Sequence, residues 1–179
     1  METAWKEQGA QLVCTLVDQG LEMGYVVIDS TIGGTSMGGL RMMRDVSVPE
    51  LQWAARAMTL KYGFLGLPQG GAKAGLRLDP EAPTEERRKA LATFARLAEP
   101  LLQRGVYTPN SDMGTDAEDI AYLLRCVGRR PNRREARRSD SGYYTAQSAL
   151  ACAQVAARHL GFELRGTRVA VEGLGHVGG

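Results

Sequence analysis

The sequence predicts an α/β fold: a mixed sheet, followed by the first elements of a nucleotide-binding sheet. Three observations carry this reading. Short apolar runs alternate with helical repeats along the chain, rather than falling into blocks of each. Near the C-terminus the apolar run 168–172 enters Gly173-Leu174-Gly175-His176-Val177-Gly178. That spacing lets a strand hand over to a helix whose N-terminus holds a pyrophosphate. Finally, 66–76 sets one lysine, Lys73, among glycines, well before an isolated Pro109-Asn110-Ser111-Asp112-Met113-Gly114.

Taken in order, 11–17 and 24–29 are β-rich runs around Asp18-Gln19-Gly20, which predicts neighbouring antiparallel strands. A Gly-rich loop at 33–39 leads to a third strand over 38–43. Ser47-Val48-Pro49-Glu50 has the form of a capping box with proline in the first turn. Leu51, Ala54, Ala55, Met58 and Tyr62 then make one helical stripe, and Lys61 closes that helix. The glycine segment holding Lys73 reads as a turn, with a strand from Ala74 to Leu78. A long amphipathic helix is expected from Thr84 to about Gln103, and a short strand over 106–108. Thr115-Asp116-Ala117-Glu118 reads as a second capping box, opening a helix that ends near Arg125. Residues 125–138 hold seven arginines around Pro131 and read as a linker. A helix over 144–160 places Ala146, Ala149, Leu150, Ala153, Ala156, Ala157 and Leu160 on one face, with Gly161 as its stop. The strand at 168–172 is expected to be buried.

Bulk properties exclude several classes. With 22 basic and 20 acidic residues the net charge is +2, which points to no polyanionic partner. No run approaches the ~18 apolar residues that span a bilayer, so a cytoplasmic location without a membrane partner is expected. Cys14, Cys126 and Cys152 share no metal-ligand spacing and read as buried, reduced thiols. His159 and His176 are the only histidines, so no metal site is expected. The arginines of the linker lack interleaved stacking aromatics, which argues against nucleic-acid binding. Because the glycine turn stands at the end of the chain, the sequence reads as a fragment.

Glycines admit close backbone approach to a ligand, and a lysine held in a dehydrated pocket becomes a proton carrier. Lys73 and Asp112, brought together, would form an acid–base pair. Each piece alone also fits a solvated loop residue.

Several segments together make the chain resemble the Glu/Leu/Phe/Val dehydrogenase family of amino-acid dehydrogenases. They are Gly38-Gly39-Leu40-Arg41, Ala57-Met58-Thr59-Leu60-Lys61, the run from Pro68 through Lys73 to Gly75, Asp112-Met113-Gly114-Thr115 and the run from Val169 to Gly175, in the family's order. The resemblance implies a substrate and assembly domain over 1–138. The first helix, strand and glycine turn of a truncated Rossmann domain would follow over 139–179. It also implies a homo-oligomer that oxidatively deaminates an L-amino acid to a 2-oxo acid and ammonia with NAD, NADP being left open.

By the same resemblance Lys73 activates the attacking water, Asp112 moves protons at the substrate nitrogen, and Lys61 pairs with the α-carboxylate while disfavouring a proton on its lysine neighbour. Gly38 and Gly39 line the pocket. Ser141, Gly173, Gly175, His176, Val177 and Gly178 would meet the cofactor, with Ser141 standing for the family's threonine and His176 for its asparagine. Met37 occupies the position where glutamate-type members carry a lysine for the side-chain carboxylate. A carboxylate left unpaired against a thioether is costly, so an apolar substrate of the leucine, valine or phenylalanine type is expected. Met37 as simple core filler is the alternative. At the level of the whole chain, the rival reading is a catalytically silent amino-acid-binding or assembly domain.

Overall fold

The computed structural model describes residues 10–130, 141–175 and 177–179. Contacts divide the chain between Asn132 and Arg133 into two compact units.

The first unit is a five-stranded mixed sheet in which the strands, counted along the chain, lie in the order 1-2-4-3-5. Strands β1 (Leu12–Asp18) and β2 (Leu21–Ile28) form an antiparallel hairpin. Its two turn residues, Gln19 and Gly20, have φ of 49° and 83°, the double positive φ that lets a two-residue turn follow the strand twist. Strand β3 (Ser36–Met42) runs parallel to β4 (Gly70–Leu76) on one side and to β5 (Tyr107–Ser111) on the other, while β2 meets β4 antiparallel.

Helices cover both faces. Alternate residues of β2 show this: Val26 and Ile28 join a cluster with Leu91 and Phe94 of α2 (Thr84–Leu97) and Leu123 and Leu124 of α4 (Ala117–Cys126). Tyr25 and Val27 instead join Leu51 and Ala55 of α1 (Val48–Phe64). Since strand side chains alternate between faces, α1 lies on one side of the sheet and the α2/α4 pair on the other.

The glycine segment is not a turn. It is β4, buried along its whole length, and the expected strand from Ala74 starts four residues earlier at Gly70. The cause is packing with α1, because a Cβ on Gly71 would fall 2.2 Å from the Thr59 nitrogen and 2.5 Å from the Ala55 carbonyl oxygen. Glycine there lets the helix backbone rest on the strand, and Lys73 is carried into the middle of the sheet.

Other expectations shift for local reasons. Ser47 is the N-cap of α1 but makes no side-chain cap bond, and the Glu50 carboxylate pairs with Arg41 instead of closing a capping box. The long helix expected to Gln103 is broken at Ala98 into α2 and α3 (Glu99–Gln103). Pro100 has no N–H to continue the ladder. The second capping box forms one residue later than read, between Asp116 and Asp119, and Thr115 is left to tie loops together. The strand at 106–108 extends to Ser111, so Asp112 stands directly at its end.

The second unit holds α5 (Ser141–His159), stopped by Gly161 at φ 81°. Of the stripe expected to pack, Ala157 is buried and Ala146 partly so, whereas Leu150 and Leu160 are exposed. The segment 168–172 is not a buried strand, with Val169 71% and Val171 60% exposed. A strand needs a neighbour for its backbone groups, and among the described residues it pairs with none. No described helix is long and apolar enough to cross a membrane.

Candidate active site

Strand β3 forms the floor. Its period of two sends Leu40 and Met42 into the α2/α4 core, and so turns Met37, Gly39 and Arg41 toward the α1 side. By the same alternation β4 presents Gly71, Lys73 and Gly75 there, beside Met37 and Arg41 in register. Asp112 enters from the end of β5. Its N–H donates to Thr115 Oγ1 at 3.0 Å, and Thr115 Oγ1 in turn donates to the Leu40 carbonyl at 2.7 Å, which ties the loop after β5 back to β3.

These elements bring Lys73 and Asp112 together, with Nζ 2.8 Å from Oδ2. Lys73 is buried, its side chain 7% exposed, and Asp112 is mostly covered. The same Oδ2 accepts from Arg41 Nε at 3.0 Å, and Arg41 Nη1 also pairs with Glu50 on α1. The four charges alternate in sign. Gly39 lies beneath the pair: a Cβ there would meet Asp112 Cβ at 2.7 Å and Lys73 Nζ at 3.2 Å. Only a residue without a side chain leaves the pair intact.

On the opposite face of β5 the buried Tyr107 hydroxyl donates to the Gly38 carbonyl at 3.2 Å. Burial first, then the Asp112 charge and Tyr62, pushes its ionisation well above the ordinary tyrosine range. It stays a neutral donor.

Residues 11–128 match the family described as Glu/Leu/Phe/Val dehydrogenase, dimerisation domain. The chain belongs to that family. It is 29% identical over 167 residues to the NADP(+)-dependent glutamate dehydrogenase of Pyrobaculum calidifontis, covering 87% of this chain and 40% of the relative. It is 32% identical over 163 residues to the valine dehydrogenase of Streptomyces virginiae, covering 86% and 44%. Among solved structures it superposes on the hetero-hexameric glutamate dehydrogenase of Thermus thermophilus in its Leu-bound form with TM-score 0.76 and 25% identity, covering 94% and 45%. The chain thus spans less than half the length of each of these relatives.

Not every expected residue joins the Lys73–Asp112 cluster. Gly39 does, by close approach, whereas Gly38 meets the β4 backbone at Ala72 and Lys73. Met37 is buried two residues before Gly39 and is part of neither apolar cluster. Lys61 sits exposed on the last turn of α1 and, among the described residues, makes no ion pair, so the cation bonded to the Lys73–Asp112 pair is Arg41. Arg41 was missed as a site residue. Alternation from Gly39 would have found it.

In the second unit Gly173, Gly175, Val177 and Gly178 form a tight turn, Ser141 opens α5, and His176 lies outside the described residues. Cys126 and Cys152 are exposed, not buried as expected, because they fall on outward faces of their helices. Cys14 is partly covered, and burial raises its thiol ionisation. Among the described residues no group of potential ligands is placed to hold a metal. Of the linker arginines, Arg129 is engaged with the Leu102 carbonyl, while Arg133, Arg134, Arg137 and Arg138 lie outside the described residues.

Proposed function

We propose that this chain supplies the substrate side of an NAD(P)-dependent dehydrogenase. It would convert an L-amino acid and water to a 2-oxo acid and ammonium. The observation that carries the proposal is the Lys73–Asp112 contact of 2.8 Å over Gly39. A buried amine and carboxylate held side by side can exchange protons with a substrate nitrogen and an attacking water brought against them. Lys73 takes the proton from that water, and Asp112 carries protons to and from the substrate nitrogen. Lys61, on the last turn of α1, is the candidate partner for the α-carboxylate. Gly38 and Gly39 admit the substrate close to the sheet. Met37 sits on the same face as Gly39 and outside both apolar clusters, which supports a pocket wall and an apolar side chain in the substrate.

We assign residues 1–138 to this substrate-binding part and 139–179 to the start of the nucleotide-binding part. The local geometry of the turn supports this assignment. A Cβ on Gly178 would fall 2.0 Å from the Gly173 oxygen, Gly173 has φ 87°, and the Gly179 N–H donates to the Gly175 carbonyl at 2.9 Å as in a first helical turn. The backbone of Gly173, Gly175, Val177 and Gly178 is where the pyrophosphate would be held, with His176 inside the same motif and Ser141 assigned to the cofactor by the family resemblance. When bound, the nicotinamide supplies the hydride acceptor.

The test is amino-acid-dependent reduction of NAD+ or NADP+, across a panel of L-amino acids, by a polypeptide that joins this domain to a complete nucleotide-binding domain. Turnover of leucine, valine or phenylalanine types above glutamate is expected. No turnover of any L-amino acid would overturn the proposal. The second reading, a silent amino-acid-binding or assembly domain, draws support from the unpaired segment 168–172. It predicts amino-acid binding in calorimetry without turnover in the joined polypeptide.

A further inference from the structure

We propose that Arg41 and Glu50 are positioning residues for the Asp112 carboxylate, with Arg41 its permanent counter-ion and Glu50 the anchor that fixes the guanidinium. This rests on the acid–base reading of Lys73 and Asp112. Asp112 Oδ2 accepts from two cations, Lys73 at 2.8 Å and Arg41 at 3.0 Å. These two are not equivalent. A lysine that works as a base must spend part of each cycle neutral, whereas a guanidinium keeps its charge throughout. Arg41 therefore leaves Asp112 with a full positive partner whichever state Lys73 takes, so the carboxylate need not swing away when the amine loses its proton.

Glu50 explains how Arg41 is aimed. Its sequence context is that of a capping box, yet Ser47 makes no side-chain cap bond and the Glu50 carboxylate pairs with Arg41 Nη1. The guanidinium is gripped from both ends, by α1 and by the loop after β5. Its planar fork can span both carboxylates, which a single ammonium cannot. The Glu50 side chain is 43% exposed and Arg41 only 16%, so the network runs from the surface of α1 into the buried pair. Register places Arg41 on the Gly39 face, so the strand delivers the guanidinium to the Asp112 side of the site.

The experiment is a mutant cycle in a polypeptide that joins this domain to a complete nucleotide-binding domain, with kcat and KM measured for Glu50→Gln, Arg41→Lys, Asp112→Asn and each of the first two combined with the third. Glu50→Gln should lower kcat about 10-fold and Arg41→Lys about 100-fold, the loss that a misplacement near 1 Å brings, with KM within about 3-fold. Melting temperatures of Glu50→Gln and wild type should agree, because Glu50 is isosterically replaced at an exposed position. On the Asp112→Asn background neither substitution should lower kcat further, since both act through that carboxylate. If Asp112→Asn is crippled but Glu50→Gln and Arg41→Lys keep wild-type kcat, or if their effects add to that of Asp112→Asn, the positioning role is overturned while the acid–base pair stands. If Asp112→Asn itself turns over normally, both readings fall.

Discussion

Replacing Gly39 by alanine should break the Lys73–Asp112 contact without touching either residue. The added Cβ would stand 2.7 Å from Asp112 Cβ, 3.1 Å from its Cγ and 3.2 Å from Lys73 Nζ. Carbon atoms rest at about 3.5–4.0 Å, so Asp112 must retreat by roughly 1 Å. The present Nζ–Oδ2 distance of 2.8 Å would then approach about 3.8 Å, beyond hydrogen-bond range. At an effective dielectric near 20, the attraction between the two charges falls from about 5.9 to about 4.4 kcal/mol. Adding part of a charge-assisted hydrogen bond gives a loss of about 1.5–3 kcal/mol.

For a chain of this size each kcal/mol shifts the melting temperature by about 2–4 °C, so thermal unfolding should move down by about 3–12 °C. Turnover should fall about 100-fold. Gly63→Ala is the matched control: Gly63 lies in α1 and an added Cβ would meet nothing within 4 Å. Alanine there should be neutral or stabilising by up to about 1 kcal/mol. Wild-type melting and turnover in Gly39→Ala would show that the pair does not meet over Gly39.

Met37→Lys should shift substrate preference from apolar amino acids toward glutamate, measured as the ratio of kcat/KM values; an unchanged ratio would show that Met37 does not read the side chain. Tyr107→Phe should cost about 1 kcal/mol at neutral pH by removing the buried bond to the Gly38 carbonyl. Because Tyr107 keeps its proton in the folded chain after the unfolded chain has lost it, its contribution is intact below pH about 10 and declines as pH rises beyond. Wild-type stability should therefore fall more steeply than that of Tyr107→Phe above that pH, and parallel curves would refute the linkage. Phe94→Ala, at a fully buried position between sheet and α2, should lose about 3–5 kcal/mol in chemical denaturation. A loss under 1 kcal/mol would place Phe94 outside the core.

The order of strands and helices was legible because periodicity reports which face is buried, and the turn residues Gln19 and Gly20 mark the hairpin directly. The Lys73 strand was harder. A run of glycines carries a turn signal, and only the tertiary contact of Gly71 with the backbone of α1 makes it a strand. Glu50 shows a similar override, since its local signal is a helix cap and its partner, Arg41, arrives from another element. Thr115 likewise gave up the capping role read for it, because its hydroxyl is held by the Leu40 carbonyl. Lys73 and Asp112 were legible as a pair, through residue type and family resemblance. Arg41 was not, because its importance lies in a bond between β3 and the end of β5 that no local pattern encodes.

The central claim, that Lys73 and Asp112 carry out proton transfer, is tested most directly by turnover of Lys73→Ala in the polypeptide joined to a complete nucleotide-binding domain. Binding of a 2-oxo acid and the unfolding transition would be measured alongside. The predicted result is a loss of about 10²–10⁴ in kcat with the fold intact, because proton transfer from the attacking water has lost its acceptor. Turnover near the wild-type rate in that variant would contradict it.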